Sequence, residues 1–193
     1  MKDTRSRVID ASSTLFRRQG YAATGLKQIA ADAPAPFGSI YHFFPGGKQQ
    51  LAEEVIRSAG PWYGALVYDF FTGSSAEARD LPGVLTALFD SAAADLERSD
   101  YADACPIATV ALEVAGTNEV LRRATADVFT EWIDAGSRLL SSRGLDAYQS
   151  RTLVLMLIST LEGAFVLSRS LRSIEPLHAA GAGLAGLAAS MTA

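Results

Sequence analysis

Apolar residues recur along this chain with the spacing of α-helices, and the stretches that carry the pattern are separated by glycine and proline. In residues 4–19 Val8, Ile9, Ser12, Leu15 and Phe16 share one stripe, and Gly20 supplies a stop. The next segment points Leu26, Ile29 and Ala30 inward and Lys27 and Gln28 outward, with Thr24 placed to cap it. Pro34 and Pro36 cannot lie inside a helix, but a proline fits a first helical position, where its missing N–H had no partner to lose. A third helix therefore starts near Pro36, runs through Phe37–His42 and ends at the FPGG of residues 44–47. Residues 48–59 predict a fourth helix with Leu51, Val55 and Ile56 inside; Gly60-Pro61 kinks or breaks it before the pattern resumes as far as Gly73. The clearest loop is 72–83, and further helices are predicted at about 82–98, 105–115, 118–141, 146–172 and 176–191. No strand-like alternation or repeat stands out, so the expected fold class is all-α, with about nine to ten helices.

Composition supports a soluble globular protein: 49% of the 193 residues are hydrophobic and 20% charged. The lone Cys105 excludes an intramolecular disulfide and a cysteine-rich metal site, and no cofactor or metal is expected. The opening MKDTRSR lacks the apolar run of a signal peptide, which implies a cytoplasmic address. The apolar stretch 152–167 is short for a membrane span and carries Glu162 near its middle, so a buried helix is expected there and no membrane partner. A net charge of -4 argues against a general polyanion binder until the charge is divided along the chain. Residues 1–60 hold eight basic against five acidic side chains, whereas the remainder holds nine against sixteen. A small phosphate-facing unit attached to a body that repels nucleic acid fits that split.

Three short helices, the second and third joined by about four residues and carrying a basic surface, make a helix-turn-helix with a supporting first helix. The run RVIDASSTLFRRQGYAATGLKQIAADA followed by GSIYHFFPGGK resembles the DNA-binding domain of the TetR family of bacterial transcriptional regulators over residues 5–56. The resemblance implies a reading domain at 1–48, a connector helix at 48–60, and an effector-binding and dimerisation domain at 49–193. It casts Lys27 as a cation for a base or a phosphate, and Thr24, Tyr41, His42 and Lys48 as phosphate clamps. Physical roles follow for the third helix as well. Gly38 lets the backbone approach a groove closely, Ser39 offers a hydroxyl to a base edge or phosphate, and the Phe37 ring suits a thymine methyl. Ile40 and Phe44 read better as core, and Arg17 and Arg18 as a solvated face. Pro34 in the turn and the PGGK ending at Lys48 depart from the common family pattern and resemble an LmrA-like branch, as does DACPIATVALE at 103–113.

The family resemblance implies a hydrophobic effector cavity in the body, for which Trp62, Phe70, Phe129, Trp132 and Met156 are candidates, although such residues line any helical core. Glu113 and Glu162 sit in apolar helical stretches, where a buried carboxylate needs a partner; each is expected either to orient an effector or to make a structural bond. Cys105 falls at or beside a helix cap ahead of Pro106 and reads best as a small buried hydrophobe that could border the same cavity. Gly181, Gly183 and Gly186 weaken the last helix, which then needs tertiary contacts to persist. With Ser159 and Gly163 of the preceding helix, Gly183, Leu184 and Leu187 are expected in a four-helix interface across a two-fold axis, as in the family.

The function so implied is a homodimeric, ligand-responsive transcriptional regulator, a repressor binding a pseudo-palindromic double-stranded operator and released by a small lipophilic effector. The alternatives are an architectural DNA-binding protein without an effector, or an enzyme using Cys105 or Glu113 with Glu162. For the enzyme the sequence offers little: Cys105 needs a histidine base, yet His42 lies in the reading helix and His178 in the glycine-rich tail.

Overall fold

A computed structural model describes residues 3–73 and 80–192. Among them the chain forms nine helices and no strand: α1 Thr4–Gln19, α2 Leu26–Asp32, α3 Phe37–Phe43, α4 Gly47–Thr72, α5 Leu81–Arg98, α6 Pro106–Val114, α7 Glu119–Ser141, α8 Ala147–Leu171 and α9 Glu175–Thr192. The ends are chemically marked. Asp3, Asp80 and Asp146 each accept a backbone N–H from the first turn of α1, α5 and α8, and Gln149 completes a capping box with Asp146. Cys105 caps α6 with Pro106 in the first turn, Sγ accepting from the Ala108 N–H at 3.5 Å. Of the loop expected at 72–83, residues 74–79 lie outside the described residues.

Two compact units emerge. The first comprises Met1–Trp62 and Asp103–Phe129, so α1–α3 pack with the start of α4, with α6 and with the start of α7. Its interior is built from Val8, Phe16, Ile29, Ile40, Phe44, Leu51, Ile56, Ile107, Val110 and Leu121, all essentially inaccessible to solvent. The second comprises Tyr63–Ala102 and Thr130–Ala193, where Phe71, Leu85, Phe89, Leu96, Leu153, Leu177 and Leu184 form the core. Pro61 lies inside α4 without ending it. One lost backbone donor is outweighed because Val55 and Ile56 on one side of the proline and Phe71 on the other are each buried.

The glycine-rich last helix persists through packing against α5 and α8. Gly181 allows the closest approach: a Cβ there would lie 2.7 Å from Phe89 Cβ, so a side chain would force α5 and α9 apart. Gly183 and Gly186 instead face open space. α8 is long and apolar enough by composition to cross a bilayer, and its inner face belongs to the second core through Leu153, Val154, Leu157 and Ala164.

Candidate nucleic-acid interface

The first unit holds α3 on its outside by fixing both ends and the buried side of the helix. Ile40 and Phe44 point inward, as the spacing predicts, and are fully buried. Pro36 occupies the N-cap of α3, and its carbonyl accepts the Ser39 hydroxyl at 2.6 Å. The turn ahead of it is held by Arg7 of α1, whose guanidinium donates to the carbonyls of Ala33 at 3.0 Å and Pro34 at 3.3 Å. The opposite face of α3 is open. Phe37 is 42% and Tyr41 51% exposed, and their rings meet edge to face at 5.8 Å. His42 is exposed beside them, and a Cβ on Gly38 would meet nothing within 4 Å. No contact among the described residues therefore asks for glycine at 38, although a glycine costs a helix about 1 kcal/mol relative to alanine. Lys27 is exposed on α2.

Two of the expected phosphate clamps make contacts within the chain. Thr24 is buried, its hydroxyl donates to the Gly20 carbonyl at 2.6 Å and accepts from Gln19 at 3.2 Å, and the N-cap of α2 is Gly25. The threonine closes the α1–α2 loop on itself because its backbone turns back toward Gly20 and the chain enters α2 one residue later. Lys48, at the start of α4, stacks over the Tyr21 ring at 4.3 Å and donates to the Ala22 carbonyl at 3.3 Å. Burial lowers its pKa, opposed by the negative charge of Glu113.

The acidic candidates also resolve into specific contacts. Glu113 is exposed rather than buried, and its carboxylate accepts the Ala22 N–H at 2.7 Å. Its helix is apolar on the side toward the unit, through Val110 and Val114, while position 113 reaches over the edge to the α1–α2 loop. Arg17 and Arg18 are not simply solvated: both pair with Asp103, at 2.7 and 2.6 Å. Arg5 pairs with Glu54 and lies over the Phe44 ring at 5.4 Å. Arg7, Tyr21 and Asp103 are structural contributors that the sequence reading missed. Only Arg7 left a trace there, standing one residue before Val8 at the edge of the buried stripe of α1.

The residues expected at an effector cavity divide between the units. Trp62, Cys105, Glu113 and Phe129 lie in the first, and Phe70, Trp132, Met156 and Glu162 in the second. In the second, Phe70 packs against the core, Trp132 is half-buried over Gly64, and Met156 is exposed. A cleft of about 380 Å³ in that unit is lined by Leu81, Pro82, Arg143, Leu145, Ala189 and Thr192 and includes none of these candidates. Of the expected interface residues, Ser159, Gly163 and Gly183 are exposed. Leu184 is instead 3% exposed within the α5–α8–α9 core and Leu187 packs against that core, because they share the inward stripe of α9 with Leu177 and Gly181.

Comparison with known proteins places this geometry. The profile of "Bacterial regulatory proteins, tetR family" matches residues 8–55, and that of "Transcriptional regulator LmrA/YxaF-like, C-terminal domain" matches residues 83–183. The chain is similar to the HTH-type transcriptional regulator YxaF of Bacillus subtilis, 31% identical across 91% of this chain and 90% of that one. A Mycobacterium tuberculosis HTH-type transcriptional regulator is 32% identical over 92% and 90% of the two chains. The fold matches the crystal structure of a TetR transcriptional regulator from Legionella pneumophila with a TM-score of 0.82, at 22% identity over 95% of this chain and 96% of that one. With the open helix-turn-helix face, the two family matches along one chain and relatives spanning nearly its whole length, this protein belongs to the TetR family of transcriptional regulators, with an LmrA/YxaF-like C-terminal domain.

Proposed function

We propose that the chain is a cytoplasmic, homodimeric, ligand-responsive repressor that reads a pseudo-palindromic operator with α3 and is released from it by a small lipophilic effector. The observation that carries the reading is the open face of α3: Phe37, Tyr41 and His42 stand exposed around a glycine that no contact among the described residues requires. That face offers a thymine-methyl contact, a phenol and an imidazole for phosphate or base edges, and a backbone free to approach the groove. Lys27 adds an exposed cation on α2. Thr24 and Lys48 contribute indirectly, by shaping the loop that sets the angle of α2 and α3.

A second copy is supported by the outer faces of α8 and α9. Leu155, Met156, Val166, Leu167 and Leu171 are exposed along α8, interrupted by Ser159 and Gly163. Alongside, α9 exposes Ala179, Ala182, Gly183 and Gly186. Large side chains on one helix and small ones on the next suit a two-fold contact in which α8 of each copy enters the groove of the other. A pseudo-palindromic operator would take the two copies of α3 in successive major grooves, about 34–36 Å apart. Effector binding is the family's mode of control; Phe70 and Trp132 are the partly buried apolar candidates in the second unit for a lipophilic ligand.

The test is selection from a random duplex library with the full chain. A pseudo-palindromic site, bound by two chains, supports the reading. Failure to enrich any sequence refutes it.

A further inference from the structure

We infer that Glu113 is a positioning residue for operator recognition: its carboxylate fastens the α1–α2 loop of the reading head to α6. The inference rests on the DNA-binding reading and adds to it the part played by a helix that is remote in sequence. α6 belongs to the same compact unit as α1–α3, so the link acts within one packed body.

Three observations converge on the loop. Ala22 has both of its backbone polar groups held by side chains of opposite charge: Glu113 of α6 accepts its N–H at 2.7 Å, and Lys48 of α4 donates to its carbonyl at 3.3 Å. Gly20, two residues earlier, has φ +87° and ψ 169°, a region essentially reserved for glycine. A Cβ there would come within 2.9 Å of Glu113 Cδ and closer still to Oε1, so the glycine both turns the chain and makes room for the carboxylate. In the segment that leads into the same helix, Asp103 holds Arg17 and Arg18 at the end of α1. α1 and its following loop are thus tied to the α6 segment at two points, and α2 and α3 follow directly from that loop.

A carboxylate on a backbone N–H is a directional contact, and losing it frees the loop without opening the core, since Glu113 itself is exposed. α3 should then sample a wider range of orientations. That weakens a site requiring one register on the bases more than it weakens charge-driven contact with any duplex.

The experiment compares wild type with Glu113→Ala, Glu113→Gln and Glu113→Asp in the full chain. It reads hydrogen exchange at the Ala22 amide and affinity for the selected duplex and for a scrambled one. Glu113→Ala should speed Ala22 exchange and lower affinity for the selected duplex about tenfold, the scale of one charged hydrogen bond, with the scrambled duplex changed less than about twofold. Glu113→Gln keeps an acceptor oxygen in place and should stay within about threefold of wild type. Glu113→Asp keeps the charge but withdraws the oxygen, and should behave as the alanine variant does. Unchanged Ala22 exchange or unchanged selected-site affinity in Glu113→Ala would overturn the inference. So would equal losses on both duplexes, or full function in Glu113→Asp, which would make the effect one of charge. If wild type selects no duplex, the DNA-binding reading itself has failed; if it selects one and the variants do not differ, only the role of Glu113 has.

Discussion

Adding a methyl group at position 38 should make the free protein more stable and the DNA complex weaker. Gly38 lies in the first turn of α3, and the added Cβ would meet nothing within 4 Å among the described residues. Gly38→Ala therefore removes unfolded-state entropy without a packing conflict, a gain of about 0.5–1 kcal/mol. For a chain of this length that corresponds to a rise in Tm of about 1–4 °C. On the duplex the sign reverses. If the α3 backbone seats against base edges, a methyl there lifts the helix and strains or breaks one neighbouring base contact, a loss of about 1–3 kcal/mol, or roughly 5- to 150-fold in Kd. Thermal melting by circular dichroism reads the first effect, and fluorescence anisotropy on the selected and scrambled duplexes reads the second. A variant that melts higher and binds the selected duplex as tightly as wild type would mean that Gly38 is a tolerated helix glycine and α3 does not approach the groove there. A lower Tm would contradict the open space around the residue.

Other substitutions separate the remaining roles. Lys27→Ala should cost about 1–3 kcal/mol on the selected duplex with a loss of sequence preference if the lysine reads a base, and anisotropy showing an equal loss on scrambled DNA would contradict that. Val166→Asp puts a carboxylate on the outward face of α8, and sedimentation should show the proposed dimer dissociating at least about 100-fold more readily than wild type; unchanged association, or a wild-type monomer, would contradict the proposed α8–α9 interface. Leu184→Ala acts inside the chain instead, and urea denaturation should show about 2–5 kcal/mol of lost stability because the leucine is 3% exposed in the second core. Arg122 and Arg123 hydrogen-bond to Glu119 and hold its carboxyl at about 2 instead of the usual 4.5. The lowered native value means that its contribution to stability is present above the unfolded value and is lost as pH falls toward 2; a carbon-detected titration of Glu119 with a midpoint near 4.5 would contradict the pairing.

Residues that act within one helix were legible from spacing, and those that act across helices were not. The buried stripe of Val8, Ser12, Leu15 and Phe16, the inward Ile40 and Phe44, and the placement of α5 to α8 follow from periodicity and from caps, which are local signals. Cys105 ahead of Pro106 marked the start of α6 for the same reason. Thr24 shows the limit: its type suits a cap, but the hydroxyl turns back to Gly20, and Gly25 takes the N-cap position of α2. Glu113 read as buried because its neighbours are apolar. An apolar helix still has an edge, however, and the residue on it meets a loop some ninety positions earlier in the chain. Leu184 and Gly183 are adjacent in sequence yet face opposite ways, one into the core of the second unit and one to open space. Periodicity alone gives a helix its stripe, and it takes the tertiary structure to say whether its own chain or a second copy covers it.

The central claim is that the exposed end of α3 lies against DNA, and site-specific photocrosslinking tests it most directly. With a benzoylphenylalanine introduced in place of Phe37, irradiation in the presence of the selected duplex should give a protein–DNA adduct. The same probe in place of Tyr148, exposed on α8, should give none. Saturating duplex with no adduct from position 37, or equal yields from both positions, would contradict the account.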